Sequence, residues 1–478
     1  MDRLLEGIDV VDRRGDLSGV EVSSVEFDSR RVTPGALYFC VPGHLGDGHA
    51  FAAEAVGHGA VALLVERFQP PAVPQAKVAT GAMRPSMAEV SATFYGHPAR
   101  ALVTAGVTGT NGKTTVTHVL AAMLQAHGVP CEVIGTLGGR LTTPESPELQ
   151  QQLAAAVQRG LKAVSMEVSS HALDQRRVDG IEFSVAVFTN LSHDHLDYHG
   201  SMEAYFAAKA SLFRPGRART GVVNADDAWG RRLLDSAEIP MVPFSMGEVT
   251  DVRLHPGGTT FRWRGRQVSM ALSGDFHVAN AVAAACAAEV LGVPEDEIVQ
   301  GLADVGVVRG RFEVVESDAP FTVVVDYAHT PDGLRSALRS ARSLAATGAA
   351  AGAAAGRVLC LFGCGGDRDR AKRPVMGEVA SAGADVVVVT SDNPRNEDPQ
   401  SIIEQILPGI VEGTPLVVEP DRRAAIGRLL ESARAGDVVL IAGKGHETAI
   451  DMGGRRLPFD DRQVAAEVLG RLSGKTPA

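Results

Sequence analysis

Short apolar runs recur along the chain, separated by turn residues or by stretches with helical periodicity. In the first hundred residues the runs alternate in polarity, which is typical of half-buried strands. From about residue 100 to 310, and again from near Phe321, apolar runs alternate with helical patterns, which predicts βαβ units in mainly parallel sheets. The predicted strands are residues 20–27, 36–41, 61–65, 102–107, 163–168, 185–189, 220–224, 322–325, 358–362, 385–390 and 438–441.

The length of the chain and its turn-forming residues predict three domains. A chain of 478 residues is too long for one hydrophobic core, and usual domain sizes suggest about three. The Gly and Pro of residues 95–98 resemble a linker, so we expect domains over residues 1–100, 101–310 and 311–478. The Ala- and Gly-rich stretch 345–356 is expected to be a loop rather than a helix end, because it contains three glycines.

Composition limits the binding partners and the cellular compartment that we expect. A net charge of -11 argues against non-specific binding to nucleic acid, and no apolar run reaches the roughly 18 residues of a membrane span. Residues 1–16 are rich in charge and have no apolar core of signal-peptide length, so we expect a cytoplasmic protein. The five cysteines form no zinc-binding pattern and are expected to be reduced and mostly structural: Cys40, Cys131, Cys286, Cys360 and Cys364.

The segment from Gly109 to Thr115, GTNGKTT, follows a predicted strand and opens a helical stretch that ends near His127. A glycine-rich turn at a helix N-terminus offers backbone N–H groups to a phosphate, and Lys113 adds a positive charge. Val107 stands where the general phosphate-loop pattern has its first glycine, so this is a shorter variant. The alternative is an ordinary glycine-rich turn, but a threonine hydroxyl after the lysine is what Mg²⁺ between two phosphates requires. We expect ATP binding.

Two further strand ends carry metal-ligating residue types. Glu167 to His171 follow one strand, and residues 189–200 follow another with three histidines and two aspartates between His193 and His199. Because ligands of parallel sheets bind beyond the carboxyl ends of strands, these groups are predicted to meet the phosphate loop. Each histidine alone could be an ordinary loop residue. Together they favour Mg²⁺ bound partly by phosphate oxygens, with Zn²⁺ as the alternative.

Lys209 lies in a helical pattern that is otherwise apolar and small. Tyr205, Phe206, Leu212 and Phe213 occupy the positions three and four residues away. An isolated helix lysine usually extends to the solvent, but burial here would lower its pKa and give a reactive neutral amine.

Four polar loops follow strands in the last third of the chain, which predicts a second ligand site along one sheet edge. A single glycine-rich turn such as GCGG is weak evidence for a ligand site, whereas four polar loops that end neighbouring strands are stronger evidence. The four loops are residues 326–332, 362–370, 390–395 and 442–447.

These motifs together resemble the Mur ligase family, and within it the branch that adds 2,6-diaminopimelate. The resemblance extends from about Phe27 to Glu447 and rests on GTNGKTT, MEVSSHAL, NLSHDHLDYHG, the Lys209 helix, GDFHVANA, GRFE, DYAHTPD, GCGGDRDR, DNPR and GKGHE. It implies an α/β protein of three domains: an N-terminal domain for the UDP moiety, a central P-loop-type ATPase domain with a mainly parallel sheet, and a Rossmann-like C-terminal domain for the incoming amino acid. The family expectation is a monomer.

The resemblance implies that ATP phosphorylates the D-Glu carboxylate of UDP-MurNAc-L-Ala-D-Glu, and that an amine of meso-diaminopimelate then attacks the acyl phosphate. It assigns catalytic roles to Lys113, Glu167, His195 and Lys209, and metal binding to Thr114, Glu167, His195 and a carbamylated Lys209. ATP contacts fall on Gly109, Thr110, Asn111, Gly112, Lys113, Thr114, Thr115, Asn280, Arg311, Asp326 and His329. Contacts with the nucleotide-sugar peptide fall on Phe27, Ser29, His44, Leu45, Gly46, Thr142, Thr143, Ser169, Gln175 and Arg177. Many relatives have Asn in place of Leu141, so that residue is left out.

The same resemblance assigns the amino-acid site to Arg368, Asp392, Asn393, Pro394, Arg395, Gly443 and Glu447. Diaminopimelate has a carboxylate at its far end that lysine lacks. Arg395 can bind that carboxylate bidentately, with Arg368 as the second cation and Asp392 and Glu447 accepting the ammonium. Lysine would leave buried cations without an anion, which is costly.

Three alternatives remain. A lysine-adding ligase of the same family is disfavoured by Arg395, and a folylpolyglutamate synthase-like enzyme has no need of the residues from Phe27 to Arg30 or of DNPR. A nucleotide-gated binding protein would bind ATP without releasing ADP when both co-substrates are present.

Overall fold

The computed structural model describes residues 1–43, 46–350 and 355–473. Within them lie one five-stranded sheet, two six-stranded sheets and two small antiparallel sheets. The three larger sheets follow one another along the chain and are mostly parallel. His44 and Leu45, two of the predicted substrate contacts, lie outside the described residues.

The first sheet has the order β1-β5-β4-β3-β2, in which only β1 is antiparallel to its neighbour. Val25, Leu37 and Leu64 pack beneath α3 in one apolar cluster. The elements are β1 (Val10–Arg14), β2 (Ser24–Glu26), β3 (Ala36–Phe39), β4 (Ala60–Val65), β5 (Gln75–Val78), α1 (Asp2–Leu5), α2 (Ala52–Gly57) and α3 (Met83–Phe94).

The second sheet is entirely parallel, with the order β11-β10-β9-β6-β8-β7. Its strands are β6 (Val103–Thr108), β7 (Cys131–Ile134), β8 (Ala163–Glu167), β9 (Val185–Phe188), β10 (Gly221–Asn224) and β11 (Met241–Phe244). Strands β12 (Val249–His255), β13 (Gly258–Trp263) and β14 (Arg266–Met270) form an antiparallel sheet beside it. The helices are α4 (Lys113–Ala126), α5 (Ser146–Gln158), α6 (Ser170–Asp174), α7 (Leu196–His199), α8 (Met202–Ala210), α9 (Ala228–Ser236), α10 (Asp275–Val290) and α11 (Glu295–Asp304).

The third large sheet has the order β15-β16-β20-β17-β18-β19, with β15 antiparallel and the others parallel. Its strands are β15 (Glu313–Val315), β16 (Thr322–Asp326), β17 (Val358–Phe362), β18 (Val386–Val389), β19 (Leu416–Val418) and β20 (Val438–Ala442), and a hairpin of β21 (Ala449–Met452) and β22 (Arg455–Pro458) follows. The helices are α12 (Pro331–Ala350), α13 (Lys372–Gly383), α14 (Pro399–Ile406), α15 (Arg422–Ser432) and α16 (Asp461–Leu472).

Both six-stranded sheets are covered on two faces, which explains why their strands read as continuous apolar runs. Val185 and Val187 of β9 face one apolar cluster, and Ala186 and Phe188 face another. In β17, Cys360 and Phe362 likewise face the opposite side from Leu359 and Leu361. All five cysteines are buried and free, as expected.

The predicted strands are confirmed in position. Two predictions need correction, one about a strand and one about a loop. The first is that only Ser24–Glu26 of the predicted strand 20–27 is paired. The second concerns the stretch 345–356, whose first part, up to Ala350, belongs to the helix α12, because alanine favours helix and Ala345 packs into the core. Residues 351–354 of this stretch lie outside the described residues, and residues 355–356 are not helical. Within the described ranges, no helix has the length and apolar character that crossing a bilayer needs.

Candidate active site

The predicted phosphate loop joins β6 to the N-terminus of α4. The end of the neighbouring strand β9 holds it in place: Thr110 N–H donates to the Asn190 carbonyl (2.9 Å), and Asn111 N–H donates to Asn190 Oδ1 (2.9 Å). Gly112 has φ 90°, and a Cβ there would lie 2.3 Å from Asn280 Oδ1. The loop therefore requires glycine at this position for both backbone and space.

Two lysines converge behind this loop. Lys113 Nζ donates to the carbonyls of Gly109 and Thr110, each at 2.9 Å, and Lys209 Nζ donates to the same Gly109 carbonyl at 2.8 Å. Lys209 is 1% exposed and lies 4.6 Å from the centre of the Tyr205 ring. Burial, and then the nearby Lys113 charge, hold the pKa of Lys209 well below its ordinary value. The predicted buried amine is present.

Oxygen atoms suited to a hard metal ion meet at the start of α4. Thr114 Oγ1 donates to Glu167 Oε1 at 3.0 Å, and Thr136 N–H donates to the same oxygen at 2.8 Å. Arg311 reaches the site from the C-terminal side and donates to Thr114 Oγ1 at 2.9 Å. Glu167 is buried, so a carboxylate and a hydroxyl are held together without solvent, and this pair fits Mg²⁺ completed by phosphate oxygens. Lys209 does not line this cleft, whereas Thr114, Glu167 and His195 do.

The histidines after β8 and β9 form a ring cluster in which only some members face the cleft. His195, His199 and Tyr198 surround His171, at centroid distances of 4.7, 5.6 and 4.2 Å. Desolvation lowers the pKa of His195, against the attraction of the neighbouring Asp194. His193 instead turns to Asp369. Across the described residues, no three His, Cys, Asp or Glu side chains are arranged to hold a metal, so the Zn²⁺ alternative gains no support.

The ATP contacts predicted beyond the phosphate loop, Asn280, Arg311, Asp326 and His329, line the same cleft, whose volume is about 610 Å³. The Arg311 guanidinium lies 4.4 Å from the centre of the Tyr327 ring. Asp326 accepts from the N–H groups of Phe312 (2.7 Å) and Ala328 (2.8 Å), and burial raises its pKa. Sequence reasoning missed Tyr327, although it stands inside the quoted motif DYAHTPD.

Hydrogen bonds join four of the five central residues predicted to bind the nucleotide-sugar peptide, and the fifth, Thr142, precedes Thr143 in the chain. Ser169 N–H donates to Thr143 Oγ1 (3.0 Å), and the Thr143 carbonyl accepts from Arg177 Nη1 (3.0 Å). Arg177 also donates to Gln175 Oε1 at 2.7 Å, and Thr142 lies beside Thr136 at 3.2 Å. Glu145, which the sequence reasoning missed, pairs with Arg177 and with Arg84 at 3.0 Å each.

In the N-terminal part, Ser29 is buried and its hydroxyl donates to Glu54 Oε2 at 2.8 Å. Phe27 packs against the apolar cluster under α3, and the Gly46 carbonyl accepts from Gly43 N–H at 3.0 Å. An ion pair between Arg31 and Glu148 connects this part to α5. The structure therefore brings the central contacts together but does not join these three residues into one group.

The predicted amino-acid site lies at the carboxyl ends of β17, β18 and β20. Asn393 Nδ2 donates to Glu447 Oε2 at 2.7 Å. Arg395 has φ 51°, and its Nη1 donates to the Gly366 carbonyl at 2.6 Å. Asp392 is 8% exposed and its Oδ2 has no hydrogen-bond partner among the described residues. Arg368 is exposed. Pro394 and Gly443 complete the two loops.

The nucleotide and amino-acid loops face one another. His193 Nε2 and Asp369 Oδ2 lie 3.0 Å apart, which connects the loop after β9 to the loop after β17. Asp194 is buried next to them. Burial alone would raise the pKa of its carboxyl, but the neighbouring His195, His329 and Lys372 and the hydrogen bond from His195 N–H lower it overall. Residues from both six-stranded sheets therefore line one cleft between those sheets.

Comparisons with known proteins agree with this architecture. Residues 21–94 match "Mur ligase family, catalytic domain", residues 107–288 match "Mur ligase middle domain", and residues 310–445 match "Mur ligase, glutamate ligase domain". The UDP-N-acetylmuramoyl-L-alanyl-D-glutamate--2,6-diaminopimelate ligase of Solibacter usitatus is 43% identical over 476 residues, covering 95% of this chain and 94% of its own. The ligase of the same name from Synechococcus elongatus is 44% identical over 476 residues, covering 93% of each chain.

A solved structure of a protein with the same ligase name superimposes with a TM-score of 0.65 at 32% identity, covering 98% of both chains. This similarity confirms the predicted α/β fold class of three domains. The chain belongs to the Mur ligase family.

Proposed function

We propose that this protein uses ATP to add meso-2,6-diaminopimelate to UDP-MurNAc-L-Ala-D-Glu, a step in making the peptidoglycan precursor. The relatives carrying that ligase name are similar over nearly the whole chain. The proposal rests mainly on the contact between His193 and Asp369. Through this contact the loop after β9, in the nucleotide site, lies next to the loop after β17, in the amino-acid site. A ligase of this kind must bring an activated carboxylate and an amine together.

In the first step, a D-Glu carboxylate oxygen attacks the γ-phosphorus of ATP, and ADP leaves. The N-terminus of α4 and the Lys113 ammonium bind and orient the phosphates, and Arg311 adds positive charge from the opposite side. Thr114, Glu167 and His195 would hold Mg²⁺. When bound, that ion supplies the positive charge that neutralises the developing charge on the phosphate oxygens.

The neutral Lys209 amine is proposed to add to CO₂: its nitrogen forms a bond to the carbon, one C=O π bond opens to give a carboxylate, and one amine proton is released, which leaves a carbamate. Its amine is buried and its pKa is strongly lowered, so the neutral form that reacts with CO₂ is available. A carbamate nitrogen keeps one N–H, which can still donate to the Gly109 carbonyl. The modification gives this buried side chain two oxygen atoms that suit a hard metal ion.

In the second step, an amine of diaminopimelate attacks the acyl carbon, phosphate leaves, and the nitrogen loses a proton to form the amide. Asp392 and Glu447 accept the ammonium at the far end of the substrate, and Arg395 with Arg368 binds the carboxylate beside it. This carboxylate distinguishes diaminopimelate from lysine, the substrate of the alternative ligase. A folylpolyglutamate synthase-like activity is the less favoured alternative.

The direct test is phosphate release with UDP-MurNAc-L-Ala-D-Glu, ATP and Mg²⁺, comparing meso-diaminopimelate, LL-diaminopimelate and L-lysine. The proposal expects turnover with meso-diaminopimelate that far exceeds turnover with lysine. Comparable turnover with lysine would refute the specificity, and no phosphate with any of the three would refute the ligase.

We also propose domain boundaries near residues 100 and 310, because each large sheet closes within one of the resulting segments. The use of ATP and of a nucleotide-linked substrate assigns the reaction to the cytoplasm.

A further inference from the structure

Lys444 is a fully buried lysine next to the proposed amino-acid site. It lies in the loop after β20, and its side chain has 0% exposure. Its Nζ donates to Glu447 Oε2 at 2.9 Å and to Asn393 Oδ1 at 3.1 Å. A buried ammonium needs such partners, because desolvation of a lone cation is costly. The mechanism proposed above gives this residue no role.

The bonds of Lys444 fix the orientation of two proposed substrate contacts. A lysine can only donate, so the Asn393 carbonyl oxygen must face it, and that oxygen also accepts from Asp451 N–H at 2.9 Å. The Asn393 amide nitrogen is thereby turned to Glu447 Oε2. One Glu447 oxygen is occupied by Lys444 and Asn393, while the side chain remains 30% exposed.

Lys444 is also a cation among the carboxylates of this site. Asp392 and Glu447 lie in the loops next to it, whereas Asp461 is paired with Arg422 at 2.7 Å. Without Lys444, Glu447 would lose the charged donor that orients it.

We propose that Lys444 is a positioning residue for the amino-acid substrate: it holds Glu447 and Asn393 in the orientation that accepts the far ammonium of diaminopimelate. This inference rests on the function proposed above. It differs from a merely structural role because it affects one substrate and one half-reaction.

The test is Lys444→Met in the full-length protein, with thermal unfolding to show that it folds. We expect the KM for meso-diaminopimelate to rise on the order of tenfold, the loss expected when a charged hydrogen bond is removed. The KM values for ATP and for UDP-MurNAc-L-Ala-D-Glu should stay within about twofold. The acyl phosphate, trapped as a hydroxamate with hydroxylamine in place of diaminopimelate, should form at the wild-type rate, because that half-reaction does not use the pocket.

The exposed Lys162 supplies the matched control, and Lys162→Met should leave all these values unchanged. Combining Lys444→Met with Glu447→Gln should raise the KM by less than the product of the single effects if the lysine acts through Glu447. If Lys444→Met does not fold, Lys444→Gln, which keeps a donor but removes the charge, is measured in the same way.

An unchanged KM for diaminopimelate, an equal rise for all three substrates, or fully multiplicative effects would each overturn the inference. If the wild-type enzyme forms the hydroxamate normally but does not turn over diaminopimelate, the proposed substrate is wrong, and the proposed role of Lys444 is wrong with it.

Discussion

Lys113 and Lys209 donate to the same acceptor, the carbonyl oxygen of Gly109, at 2.9 and 2.8 Å. Lys209 is buried, whereas Lys113 is half-buried and lines the cleft, and desolvation lowers the pKa of each. The Lys113 charge lowers the pKa of Lys209 further, because like charges repel strongly where water is excluded. The phosphate loop is therefore attached directly to a lysine that is suited to exist as a neutral amine.

Replacing Lys209 by alanine should nearly abolish phosphate release, since the proposed carbamate oxygens are lost. Added short carboxylates should restore part of the activity by supplying those oxygens. Wild-type enzyme freed of CO₂ should lose activity and regain it with bicarbonate, whereas the variant should not respond. Undiminished turnover of Lys209→Ala would show that the lysine is incidental.

Replacing Gly112 by alanine should weaken ATP binding. The new Cβ would lie 2.3 Å from Asn280 Oδ1 in a backbone with φ 90°, so the loop or Asn280 must move. Binding of ATP, measured by calorimetry, should weaken about 5-fold or more, a lower bound that corresponds to a strain cost of about 1–3 kcal/mol. Gly128→Ala, where a Cβ meets nothing within 4 Å, is the matched control for a glycine of positive φ. Equal affinities of the two variants for ATP would contradict the requirement for glycine at position 112.

Replacing Arg395 by alanine should raise the KM for diaminopimelate roughly 10- to 100-fold, because a charged hydrogen-bond donor to the far carboxylate is lost. The KM for ATP should change little. The nearby Arg370, which is exposed and pairs with Glu397 at 3.1 Å, provides the control variant Arg370→Ala. Equal increases for ATP and diaminopimelate in Arg395→Ala would rule out the assigned role.

Stability should depend on pH through Glu397. Two hydrogen bonds from the buried Arg373 hold the pKa of this carboxyl at about 2, below its ordinary value of 4.5. On acidification the unfolded chain therefore binds the proton first, so the stabilisation is complete above about pH 4.5 and is lost as the pH falls towards about 2. The difference in unfolding free energy between wild type and Glu397→Gln, from urea titrations, should be constant above that window and shrink within it. A difference that does not vary with pH would contradict the assignment.

Much of the fold could be read from local patterns. The strands β8, β9, β17 and β20 stand close to where the apolar runs predict them, because strands covered on both faces of a sheet need apolar side chains at every position. The helix after the phosphate loop begins at Lys113 and ends at Ala126, as its neighbouring turn signals indicate. The extension of α12 to Ala350 was missed, because three glycines suggested a loop while packing of Ala345 in the core favours helix.

The sequence by itself determined the chemistry available at each strand end: a phosphate loop at Gly109 to Thr115, a carboxylate at Glu167, and cations at Arg368 and Arg395. Those features are local, since a turn and its flanking strand and helix lie within a few residues. Only the tertiary structure decided which groups meet. Lys209 reaches a carbonyl 100 residues away, Lys444 contacts Asn393 across 51 residues, and Arg311 touches Thr114 across 197. Such pairs depend on the order of strands in the sheets and on the packing of one sheet against the next, and neither is encoded in any single stretch of the chain.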